Sequence, residues 1–67
     1  MYQTYIKEES GAWGLDFFGS EDAVDVTESG AVHTCRVLTD LWPGAVFGYA
    51  ETTTDGEAVG FLTVPRH

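Results

Sequence analysis

Sixty-seven residues and 7.3 kDa leave room for one small domain. Eleven acids against three Lys and Arg give a net charge of −8, while aromatics at 13% make the chain too rich in large apolar side chains for a disordered acidic tail. No apolar run approaches the ~18 residues of a membrane span, the first residues lack the basic start and apolar stretch of a signal peptide, and the single cysteine points to a reducing compartment.

Residues 2–8 (YQTYIKE) predict a strand with Tyr2, Thr4 and Ile6 on one face and Gln3, Tyr5 and Lys7 on the other. Glu9-Ser10-Gly11 reads as a turn. Residues 12–18 (AWGLDFF) return as a second strand, alternating Trp13, Leu15 and Phe17 against Ala12, Gly14 and Asp16. The two make a hairpin.

Residues 20–42 are ambiguous. Their Val, Thr, Cys and His lean towards strand, and Gly30 is a poor helix-interior residue. The periodicity argues for helix: Val24, Thr27, Ala31, Cys35, Leu38 and Trp42 recur at three- and four-residue steps, with Leu41 beside them. The opposite arc is polar, from Asp22 and Asp25 through His33 and Arg36 to Asp40. Ser20 serves as an N-cap, Glu21 and Asp22 complement the positive end of the dipole, and Pro43-Gly44 stops the run. Helix is therefore expected within 20–42, with a break at Gly30 left open. The rival is a short helix over 21–29, capped by Gly30, followed by a fifth strand over 32–39.

Residues 45–51 and 57–64 predict a second hairpin around Asp55-Gly56, a pair that supplies the positive φ of a tight turn. Phe47 and Tyr49 are expected opposite Val59 and Phe61, and the glycines at 48 and 60 mark a bend or a close approach. The fold class is α+β: one domain over 1–67, a two-layer ββαββ sandwich with helix on one face of an antiparallel sheet. The alternative keeps one short helix and a five-stranded antiparallel sheet. Trp13, Leu15, Phe17, Phe47, Tyr49 and Phe61 are expected to form the core beneath the helix. Tyr5, Phe18, Val46 and Leu62 remain for the other face, where an uncovered apolar patch implies a partner or a homodimer. A chain this short buries only about 60% of its unfolded surface, so dimerisation would relieve a marginal core.

The chemistry begins with the acids. Glu21, Asp22, Asp25 and Glu28 fall within eight residues without a base among them. On a helix, Glu21, Asp25 and Glu28 form one ridge with charges roughly 5–6 Å apart. In an extended chain, alternate residues lie about 6.6 Å apart. Either spacing is comparable to that of phosphates along a nucleic-acid strand, so the row suits a groove whose Lys and Arg await regular anions. Solubility or adaptation to high salt would produce the same acidity, and a net charge of magnitude up to about 8 is ordinary for a small soluble domain.

Acid–base catalysis by paired carboxylates needs a walled cleft that pushes their pKa values apart, which so small a sheet rarely encloses. His33, Cys35 and His67 are the soft metal ligands, without paired zinc spacings, so Cys35 reads as a small core residue and no cofactor is expected. No nucleophile motif or phosphate-binding glycine loop occurs. Three bases cannot neutralise a phosphate backbone, which argues against direct nucleic-acid binding.

In size, acidity and lack of catalytic motifs, the chain resembles the small phage-encoded anti-CRISPR inhibitors, several of which act as DNA mimics. The resemblance extends over the whole chain as character rather than motif. It implies a non-enzymatic protein, without cofactor, in the cytoplasm of a bacterial or archaeal host, where it binds a basic DNA-handling surface of a Cas effector. Glu21, Asp22, Asp25 and Glu28 would be its DNA-like element, with Asp40 extending it. The alternative is an antitoxin or immunity-like protein masking a basic nuclease, or a small structural homo-oligomer.

Overall fold

The first strand alternates as its sequence demands. β1 spans Tyr2–Lys7; Thr4 on the face with Tyr2 and Ile6 is wholly buried, whereas Lys7 on the other face is exposed. This is seen in a computed structural model that describes residues 1–52 and 58–64. β1 turns through Glu8–Ala12, closed by Gly11 N–H to Glu8 O at 2.9 Å, into β2 (Trp13–Gly14), with Ile6 opposite Gly14 and Lys7 opposite Trp13. The hairpin is present but its second strand is two residues long. The alternation expected over 12–18 ends early: Leu15 is 47% exposed, and Phe18 lies in the following loop at 89%. Trp13 is half-buried under the Lys7 ammonium, 5.9 Å from the ring centroid, and only Phe17 of that trio packs on the core.

A single helix follows, shorter than the periodicity suggested. α1 spans Glu28–Leu41; before it come a 3-10 turn, Ser20–Asp22, and a two-residue strand, β3 (Val24–Asp25), antiparallel to the start of β1. Two competing interactions keep 20–27 out of the helix. The Gln3 side-chain amide donates to Ser20 O at 3.0 Å and Ala23 O at 3.2 Å, and Thr4 N–H donates to Ala23 O at 2.9 Å. Carbonyls that a helix would use are thus bonded to the sheet. The N-cap is Thr27, not Ser20: its backbone is extended (φ −113, ψ 154) and its hydroxyl accepts from Gly30 N–H at 3.1 Å.

Gly30 is therefore neither a break nor a C-cap, because it falls in the first turn of α1. A Cβ there would meet the Asp25 carboxylate and the Thr27 hydroxyl, each at 3.1 Å. The alternative of a short helix followed by a strand over 32–39 is excluded, as those residues lie inside α1. The helix ends at Trp42, whose N–H reaches Leu38 O before Pro43 and Gly44.

The sheet runs β2-β1-β4-β5, all antiparallel, with β3 on the same edge of β1 as β2. β4 is Phe47–Thr52 and β5 is Ala58–Thr63. The turn expected at Asp55-Gly56, the side chains of Phe61 and Leu62, and His67 lie outside the described residues. Gly60 does mark a bend. Between the pairs Tyr49–Leu62 and Glu51–Val59, two residues of β5 oppose Ala50 alone, and Gly60 has φ +68, the left-handed conformation that a glycine bulge uses. The bulge shifts the expected register: Leu62, not Phe61, faces Tyr49.

The architecture is a helix on one face of an open antiparallel sheet. Ala31, Cys35 and Thr39 form the buried stripe of α1 against Phe47, Tyr49 and Thr4, and the Thr39 hydroxyl donates to Cys35 O at 2.8 Å. Burying Phe47 to 1% exposure contributes about 1.5–3 kcal/mol. Of the apolar residues expected on the outer face, Val46 is exposed, Tyr5 is half-buried and Phe18 is exposed in the loop after β2, while Gly48 and Ala50 on that side of β4 are buried.

Candidate functional site

The charged residues do not form one helical ridge. Glu21 and Asp22 lie on the 3-10 turn, Asp25 in β3, Glu28 at the first position of α1, and Asp40 in its last turn. The strand pairing nevertheless gathers three acids at one end of the molecule. Asp25 and Glu51 are both paired with Tyr2, one from each side of β1, and the Tyr49 hydroxyl donates to Glu28 at 2.9 Å. The Tyr2 and Tyr49 rings meet edge to face at 6.0 Å between them. Glu51 escaped the sequence reading because it is 23 residues from Glu28 along the chain, a separation that only the sheet closes.

Each acid is held differently. Glu21 and Asp22 are exposed, on a turn that Gly19 enters with φ +85 and that the Gln3 amide ties to the sheet. Asp25 is half-buried, accepting from the Thr34 hydroxyl at 2.9 Å and lying against Gly30 at the positive end of the helix dipole. Glu28 is exposed at the same helix end, while Asp40 is exposed at the other. Glu21 and Asp22 are thus exposed on their turn, Glu28 and Glu51 are exposed but engaged by the Tyr49 and Tyr2 hydroxyls, and Asp25 is largely occupied in holding the helix to β3. Burial raises the Tyr2 and Tyr49 phenols above the ordinary tyrosine range, Glu51 and Glu28 adding to the effect at Tyr2 and Glu28 at Tyr49.

At the opposite end of β1 the surface changes character. Ile6, Ala45 and Phe47 line a half-open groove of about 350 Å³, with Phe17 and Phe18 from the loop after β2 and Trp42 from the end of α1. Phe17 and Trp42 pack on the Phe47 ring at 5.5 and 6.4 Å. Asp16 also lines this groove. The Glu8 carboxyl lies across Gly14, where any Cβ would collide with it, and is pushed above the usual carboxylate range chiefly by its hydrogen bond to Asp16 and by that residue's charge. A second groove of about 290 Å³ adjoins across Ala45 and Phe47, between Thr39, Pro43 and Val64.

Other chemistry finds little footing. Cys35 is fully buried beside the Thr4 hydroxyl at 3.9 Å, and burial pushes its thiol up. His33 is exposed, and among the described residues no three His, Cys, Asp or Glu side chains converge as metal ligands. No helix among those residues is long and apolar enough to cross a membrane. Compared with protein-family models, curated proteins and solved structures, the chain matches none.

Proposed function

We propose that the protein is a small non-enzymatic inhibitor of the anti-CRISPR type, which occupies a basic nucleic-acid-handling surface of a Cas effector and keeps DNA from it. The observation that carries this reading is the convergence of Asp25, Glu28 and Glu51 on the tyrosine end, with exposed Glu21 and Asp22 on the adjoining turn. The sheet, the helix start and Gln3 fix the backbone that carries these acids, which lowers the ordering cost when they meet Lys and Arg already spaced for phosphates. The net charge of −8 steers the encounter with such a surface. The protein acts in the cytoplasm of the bacterial or archaeal host.

The test adds the purified protein to CRISPR effector complexes and follows DNA binding by gel shift at low and high salt. Loss of DNA binding by an effector, weaker at high salt and abolished by combining Glu21→Gln, Asp22→Asn and Glu51→Gln with the fold intact, is expected. Full inhibition by that triple variant overturns charge mimicry. Inhibition of a stand-alone nuclease, with every effector unaffected, moves the reading to an immunity protein.

A further inference from the structure

The groove at the apolar end is unused by charge mimicry, and its surroundings say what fits it. Exposed aromatic side chains line it: Phe18 is 89% exposed and Trp42 42%. Large exposed apolar area on so small a domain marks an interaction surface, and its volume lies within the ~300–1,000 Å³ of small-molecule and side-chain pockets. The charge beside it has one sign. Asp16 lines the groove, Glu8 is near enough for the Asp16 charge to act on its carboxyl, and the last turn of α1 carries Asp40 and no base, leaving the negative end of the helix dipole uncompensated. Lys7 lies on the other face of β1, over Trp13.

We propose that this groove docks a basic peptide segment of a partner protein, taking one aromatic or large aliphatic side chain against Phe18 and Trp42 and an adjoining Lys or Arg against Asp16 and Glu8. A cation there relieves the repulsion between two neighbouring carboxylates, which a neutral or acidic segment does not. A second copy of this chain is the poorer occupant, because it brings another net charge of −8 to the same carboxylates. The inference does not rest on the charge-mimicry reading, since the groove and the acidic end lie at opposite ends of β1.

The experiment titrates the isotope-labelled full chain with three blocked tripeptides, Lys-Phe-Lys, Glu-Phe-Glu and Lys-Ser-Lys, and follows backbone amide shifts. Lys-Phe-Lys is expected to give saturable shifts at Ile6, Asp16, Phe17, Phe18, Ala45 and Phe47. The other two should bind about tenfold more weakly, the loss of ~1.4 kcal/mol that an absent anchor or a reversed charge brings. Phe18→Ser and Asp16→Asn, both at exposed positions, should each weaken Lys-Phe-Lys several-fold with the remaining spectrum unchanged. Absence of saturable shifts, equal binding of all three peptides, or shifts at these residues produced by concentrating the protein alone overturns the proposal. DNA competition reads the acidic end only, so either assay can fail while the other succeeds.

Discussion

The two ends of β1 are built on opposite economies. At the Tyr2 end, polar groups are satisfied by one another: the Tyr49 hydroxyl on Glu28, the Thr34 hydroxyl on Asp25, the Thr27 hydroxyl on Gly30 N–H. At the Ile6 end, aromatic rings stack on Phe47 and leave a groove that the protein does not fill itself. Hydrogen bonds at an exposed end return about 1 kcal/mol each, whereas burial of one large ring returns more. Aromatic packing on Phe47 is therefore expected to carry more of the stability than the hydrogen bonds of the acidic end. The fold should tolerate changes to its exposed acids more readily than to the aromatic packing beneath the groove.

The largest expected effect breaks the apolar end. Phe47→Ala should cost about 3–5 kcal/mol, comparable to the whole stability of a domain this size at roughly 0.05–0.15 kcal/mol per residue. Circular dichroism should show a largely unfolded chain at room temperature. A cooperative melt within a few degrees of the parent would mean that Phe47 is not the centre of the core.

At the acidic end the corresponding losses are smaller. Thr27→Ala removes the N-cap of α1 and should cost about 1 kcal/mol, measured by urea denaturation with an unchanged slope. Tyr49→Phe should also cost about 1 kcal/mol, less than the ~1.5–3 kcal/mol of a hydrogen bond to a charged group, because Glu28 is exposed to water that can replace the hydroxyl. Ultraviolet titration sharpens the point. Tyr49 should ionise above the ordinary value of 10.0, so this contribution to stability is present below that pH and is lost as pH rises through the raised value. Burial, the larger cause, survives in Glu28→Gln, where the titration should fall only part of the way back; no movement at all would place Glu28 away from the hydroxyl.

The comparison also shows which parts were legible in the sequence. Period-two alternation placed Thr4 and Ile6 on the inner face of β1, and period-3.6 spacing placed Ala31, Cys35 and Leu38 towards the sheet, because local geometry alone decides those faces. The start of α1 was not legible. Ser20 and Thr27 are both adequate caps, and the choice between them was made by Gln3 and Thr4, whose bonds to Ser20 O and Ala23 O join residues some twenty apart. The acidic site was read in part for the same reason: Glu21 to Glu28 stood out as a local run, whereas Glu51 joined it only through pairing with Tyr2. The groove left a fainter signal. Aromatics at 17, 18, 42 and 47 were visible, but the early end of β2, which turns Phe18 out of the sheet, was not.

The smallest effect tests the charge at the groove. Glu8 has a raised pKa in the folded protein, first through its hydrogen bond to Asp16, then through that carboxylate's charge, then through burial. A raised folded value means the native state binds the proton more tightly than the unfolded chain does. The stabilising contribution is therefore complete below the ordinary Glu value of 4.5 and disappears as pH rises through the raised value. Once Glu8 ionises, its charge and that of Asp16 repel. Asp16→Asn removes that repulsion while keeping a side chain able to hydrogen-bond, so its melting temperature should exceed the parent's at about pH 7 and converge on it, or fall slightly below, at about pH 4. Because both groups are close to water the gain should be modest, and added salt should shrink it further. A gain of equal size at both pH values would mean that Asp16 acts through packing rather than charge. The Glu8–Asp16 pair would then no longer argue for a cation at the groove.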